Sequence, residues 1–220
     1  MGFVVTGFSR FSDVVDNPTE WITQNLGRYL SDRRSTAKVD GYKVLRVSAK
    51  STRHWIQEQL GRDCSQVGVA SAPAERVIMI HLGLNVTTRH FDLERMAYNC
   101  ADFRCPDEDG WEPKEKLIED NHARTIGSSR QTTLPLDNVA ARLKGRGHPV
   151  HVSTDPGRFV CNWIYYCSLM EQDSPAKPWQ SLFLHVPSFK YISAEDQLKF
   201  VADLLEDIQA EVEREAVPAL

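Results

Sequence analysis

The sequence has no basic block, no low-complexity tract, no internal repeat, and no apolar run approaching the ~18 residues a spanning helix needs. Lys and Arg number 26 against 30 Asp and Glu, a formal net charge of −4. The electrostatic footprint of phosphate-backbone binding is therefore missing, and nucleic acid is not an expected partner. The opening MGFVVTGFSRF has neither a basic n-region nor a long apolar h-region, so the expectation is a cytoplasmic chain with no membrane insertion. Cysteine is sparse: Cys64, Cys100, Cys105, Cys161 and Cys167 are odd in number, lack the rhythm of a disulfide framework and read as reduced thiols. What remains is an ordinary globular balance, 25% charged and 41% hydrophobic over 220 residues, which leads to the expectation of a single domain over 1–220.

Short β-rich runs at Phe3–Thr6, Tyr42–Val47, Arg76–Leu82, Val150–Ser153 and Ser181–Val186 alternate with helical patterns. That alternation predicts an α/β fold with a largely parallel sheet. Asn17-Pro18-Thr19-Glu20 reads as a cap, a first-turn proline and a capping-box acid, followed by Trp21, Ile22 and Leu26 as a buried face. Further helices are expected over Ser51–Leu60, with Trp55, Ile56 and Leu60 inward, and over Leu136–Leu143. A last helix follows Ser193, with Leu198, Val201, Leu204, Leu205 and Ile208 at helical spacing. Residues 99–133 break the pattern and are expected to form an irregular lid or loop. Within that segment the acidic run Asp107–Asp109 reads as a solvated turn.

Chemistry concentrates in three places. In Asp155-Pro156-Gly157-Arg158-Phe159-Val160-Cys161-Asn162, Pro-Gly makes a turn after a strand and the apolar run beyond Cys161 reads as a helix. Cys161 then sits at a helix start, where unpaired N–H groups and the macrodipole favour a thiolate and a developing oxyanion. The competing reading is a small buried hydrophobe. His185 ends an apolar strand just before Pro187, at the strand edge where open α/β sheets place their crevices. The strands leading to Cys161 and carrying His185 are expected to be neighbours. Glu94 either accepts the imidazole N–H of His185 or is a solvent-facing acid on a short helix or loop.

Taken together, Thr6-Gly7-Phe8, Phe11, Asn17-Pro18-Thr19, Leu93-Glu94-Arg95-Met96-Ala97-Tyr98-Asn99, Asp155–Asn162 and Phe183-Leu184-His185-Val186-Pro187 resemble pyroglutamyl peptidase I. These cysteine exopeptidases remove N-terminal 5-oxoproline from peptides. The motifs fall in the family's order over almost the whole chain. The resemblance implies an open twisted sheet between helix layers, with Cys161 as nucleophile, His185 as acid/base and Glu94 as third member. It also implies Phe8, Phe11 and Phe159 as walls for the lactam ring. The expected partner is a peptide with an N-terminal pyroglutamyl residue, and no cofactor and no metal are expected. Pro156 stands where the family commonly has alanine, and 84–92 and 99–133 depart from bacterial members, which leaves lid geometry and oligomeric state open.

Two other readings keep the fold and change the function: a non-catalytic module that binds pyroglutamyl peptides, and another small-molecule amidase. A zinc site built from Cys100, Cys105 and His90 or His81 is a further rival, opposed by the lack of a second ligand pair.

Overall fold

Aliphatic and β-branched runs form the strands, and amphipathic stretches cover them. The structure is a computed structural model that describes residues 1–12, 14, 16–61, 76–121, 124–172 and 179–216. Cys64 and the Leu60 side chain lie outside the described residues. In chain order the elements are β1 (Gly2–Phe8), α1 (Pro18–Asp32), β2 (Val39–Leu45), α2 (Ala49–Gly61), β3 (Val77–Leu84) and β4 (Phe91–Glu94). Then come β5 (Met96–Tyr98), β6 (Ser129–Gln131), α3 (Leu136–Gly145), β7 (Val150–Ser153), α4 (Val160–Gln172), β8 (Trp179–Val186) and α5 (Ala194–Ala216).

The main sheet has the order β2-β1-β3-β8-β4-β7, and β5 and β6 form a separate antiparallel pair. The first four strands are mutually parallel. β4 pairs antiparallel with β8 and parallel with β7, so the sheet is mixed. Here one expectation is overturned: β7 and β8 are not neighbours, because β4 lies between them. A right-handed crossover presumes a parallel pair, and the intervening antiparallel strand removes that condition.

Helices α1, α3 and α5 pack on one face and α2 and α4 on the other, giving helix layers on both sides. On the first face Phe91 and Phe200 stack with centroids 3.6 Å apart, and Leu198, Val201, Leu204, Leu205 and Ile208 are buried as their spacing requires. Full burial of one such side chain stabilises by about 1.5–3 kcal/mol. Two acids are buried there as well. Asp203 Oδ1 accepts from Arg33 Nη2 at 2.8 Å, and Asp207 Oδ1 from Arg146 Nη2 at 2.8 Å, tying α5 to α1 and α3. Burial acts to raise the Asp203 pKa, but hydrogen bonds from His148, Lys199 and Arg33 outweigh it and hold it at about 2.

Asn17 caps α1 by accepting from the Thr19 N–H, and Ile22 and Leu26 are buried. Trp21, expected beside them, is 36% exposed and packs edge-on against Phe189. One residue turns the helix by about 100°, which carries Trp21 off the stripe. α2 begins under Asp107. The expected solvated turn is instead a pinned one: Asp107 is 5% exposed, and its carboxylate accepts from the N–H groups of Ala49, Asp109 and Trp111 at 2.9, 3.0 and 2.9 Å. Among the described residues no helix is long and apolar enough to cross a membrane.

Candidate active site

The turn after β7 aims α4 at the C-terminal edge of β8. Asp155 Oδ1 accepts from the Gly157 N–H at 3.1 Å and from Arg158 Nη1 at 2.6 Å. Gly157 has φ +76°, the left-handed region that glycine enters without steric cost. Cys161 is thereby the second residue of α4, where N–H groups lack helical partners and the dipole favours an anion. The helix start is fixed by Asn162, whose amide donates to the carbonyls of Tyr98 and Cys100 and accepts from the Tyr98 N–H.

His185 lies one residue from the end of β8. Glu94 is not on a helix or loop; it ends β4, the strand between β7 and β8. The antiparallel register sets Asp92 opposite His185 and Glu94 opposite Phe183. From there Glu94 Oε1 reaches His185 Nδ1 at 2.7 Å, and Tyr165 Oη donates to the Glu94 carbonyl at 2.7 Å. Both carboxylate and imidazole are buried. Nδ1 is engaged by Glu94, and the Cys161 sulfur is the other group that acts on the ring. Burial acts to lower the His185 pKa. The sulfur and the carboxylate outweigh it and push the pKa up to about 10, so the ring is held as an imidazolium at neutral pH.

A cavity of about 430 Å³ opens onto this pair, and Phe8, Phe11 and Phe159 line it together with Cys161 and His185. Phe8 is fixed through its backbone, whose N–H donates to Thr19 Oγ1 at 2.8 Å. Phe11 and Phe159 meet at 5.4 Å between centroids. Residues 99–133 support this wall from behind: buried Phe103 packs edge-on against Phe159 at 4.8 Å, and Trp111 against Phe103 at 5.3 Å. The remaining described thiols are not so placed. Burial raises Cys100 and pushes Cys167 up to about 12.

Gly83 escaped the sequence reading. It pairs with His185, and a Cβ there would meet the Phe183 ring at 2.5 Å and the Cys161 sulfur at 3.1 Å. A glycine at the end of an apolar strand was its only local signal. Asn162 and Tyr165 were also missed, because their roles depend on pairings across more than 60 positions. The zinc rival dissolves as a set: His81 turns to Thr6 Oγ1 at 2.8 Å, and among the described residues the cluster able to hold a metal is His90, Asp92 and His151, without a cysteine.

A family model described as pyroglutamyl peptidase matches residues 1–213. The chain is similar to the pyrrolidone-carboxylate peptidase of Pyrococcus furiosus, 29% identical over 188 residues that cover 85% of this chain and 81% of that one. It is also similar to the pyrrolidone-carboxylate peptidase of Bacillus subtilis, 27% identical over 186 residues, covering 84% and 77% of the two chains. Among solved structures, a mutant pyrrolidone carboxyl peptidase from Pyrococcus furiosus matches with a TM-score of 0.77 at 27% identity, over 96% of this chain and 100% of that one.

Proposed function

Because the chain belongs to the pyroglutamyl peptidase family, we propose that it is a cysteine exopeptidase, one α/β domain that hydrolyses the amide bond after an N-terminal pyroglutamyl residue. The observation that carries this reading is that His185, hydrogen-bonded to Glu94, lines one aromatic-walled cavity together with Cys161.

A pyroglutamyl terminus has no ammonium, so its pocket needs apolar walls and a few backbone partners rather than a carboxylate anchor. Phe8, Phe11 and Phe159 supply the walls. A glutaminyl terminus would bring an unpaired ammonium against them, and a prolyl ring lacks the lactam carbonyl. A site built for that group rejects the analogue by ~10⁴–10⁵.

In the reaction, the Cys161 thiolate attacks the pyroglutamyl carbonyl and forms the C–S bond. The oxyanion that develops is met by the Cys161 N–H and its neighbour in the first turn of α4. His185 gives its proton to the amine as the C–N bond breaks, leaving a thioester. The neutral imidazole then takes a proton from water, the hydroxide adds to the thioester, and the C–S bond breaks to release pyroglutamate and restore the pair. Glu94 orients the ring and stabilises its charged form. No step draws on a metal or cofactor. The free thiols at Cys100, Cys105, Cys161 and Cys167 suit a reducing, cytoplasmic setting.

Release of a fluorophore from a pyroglutamyl amide, compared with prolyl and glutaminyl amides, tests the proposal. Turnover confined to the pyroglutamyl amide is expected. Binding of 5-oxoproline without turnover would make the protein a binding module, and turnover of all three would make it a broader amidase.

A further inference from the structure

Beside the proposed catalytic pair, β4 and β7 carry a second cluster that the reaction leaves unused. Their parallel register sets Asp92 beside His151. Phe91, Leu93 and Val150 alternate into the α1/α3/α5 core, so Asp92 and His151 project from the other face. His90, two residues before Asp92, joins them there: its Nε2 lies 3.0 Å from Asp92 Oδ1, and its ring centroid is 4.1 Å from that of His151. One ligand atom from each of the three residues lies within 4.8 Å of the others.

We propose that His90, Asp92 and His151 form a binding site for a divalent transition metal ion of the zinc class. The donor set selects the class: two imidazoles and one carboxylate suit zinc and its neighbours, whereas calcium and magnesium call for oxygen donors throughout. Metal–ligand bonds of ~2.0–2.2 Å require tetrahedral ligand atoms to stand ~3.3–3.6 Å apart. Side-chain rotation closes the remaining gap, because the paired strands already fix two of the three backbones. The two imidazole planes are tilted by 59°, with His90 Nε2 already against the Asp92 carboxylate, and a cation held by both neutral rings would use their nitrogen lone pairs beside that carboxylate. Asp92 is mostly buried, His90 is one-third exposed and His151 is exposed, so the ion enters from solvent and a fourth position stays open to water. This departs from the expectation that the chain holds no metal, and it is independent of the peptidase reading.

The Cys161–His185 pair could itself take up zinc, so the test removes it. Zn²⁺ is titrated calorimetrically into the full chain carrying Cys161→Ala, and into the same chain with His151→Gln or His90→Ala added. One ion per chain at micromolar affinity is expected, weakened at least ~10-fold by either addition. Co²⁺ should give d–d absorption without a thiolate-to-cobalt charge-transfer band. His151→Gln alters an exposed side chain, and its metal-free melting curve should match that of the parent. Millimolar binding, binding indifferent to both additions, or a thiolate band from Cys100 or Cys105 would each overturn the site.

Discussion

His81 and His185 stand on adjacent strands with the Phe183 ring between them, its centroid 6.5 Å from the first imidazole and 4.8 Å from the second. Both are buried, and their charges are opposite in tendency. His81 has the Thr6 hydroxyl at Nδ1 and, among the described residues, no partner at Nε2; burial drives its pKa down to about 3. His185 pays the same desolvation, yet Glu94 and Cys161 push it up to about 10. Burial therefore does not decide the protonation of a core histidine here; the groups beside it do. One imidazole serves as a neutral spacer, and the other is the ring on which the proposed chemistry depends.

Removing partners from His185 should make it behave like His81. Cys161→Ala takes away the proposed nucleophile and one of the groups that raise the His185 pKa together, and pyroglutamyl-amide hydrolysis should disappear; retained turnover would remove the mechanism. Glu94→Gln keeps the side-chain shape and deletes the carboxylate. Hydrolysis should fall by about 10²–10⁴-fold. With that anion gone, the His185 pKa drops from its raised value, so the alkaline limb of the pH–rate profile should move to lower pH. An unmoved limb would mean that Glu94 does not hold the proton on the ring.

Gly83→Ala tests the geometry rather than the charge. Its Cβ would press the Phe183 ring and the Cys161 sulfur, and kcat/KM should fall by roughly 10²-fold, the usual cost of a displacement near 1 Å at a reacting centre. The smallest effect on activity belongs to His81→Leu, with turnover at neutral pH within about threefold of the parent, the rate equivalent of well under 1 kcal/mol. Its signature is in stability. The unfolded chain protonates His81 near the ordinary 6.5 and the folded chain only near 3, so between those values folding weakens as pH falls. The slope from this one group is about 1.4 kcal/mol per pH unit, and chemical denaturation across that range should show it in the parent and not in the variant.

His185 has the opposite sign. Its raised pKa gives a stabilisation that is complete below about 6.5 and lost as pH climbs toward about 10. The two histidines thus bracket the pH range over which the site region is most stable.

Much of this was legible locally. The runs at Val150–Ser153 and Ser181–Val186, the cap at Asn17 and the stripe of α5 all formed where periodicity and capping placed them. Cys161 landed at a helix start because Pro156-Gly157 and an apolar run mark one in any context. β4 was missed because Phe91-Asp92-Leu93-Glu94 is short and carries two acids, and its partners lie far away in sequence. That one omission hid the mixed sheet, the separation of β7 from β8, and the placement of Glu94 beside His185. Asp107 misled for a related reason: an acidic turn looks solvated until the first turn of α2 is known to lie against it.

The most direct test follows the His185 ring itself by NMR, using imidazole carbon and nitrogen shifts from pH 5 to 11. The expected result is a ring protonated through neutrality that loses its proton only toward pH 10, with His81 neutral throughout. A His185 that titrates at or below 6.5, as burial alone would dictate, would contradict the account.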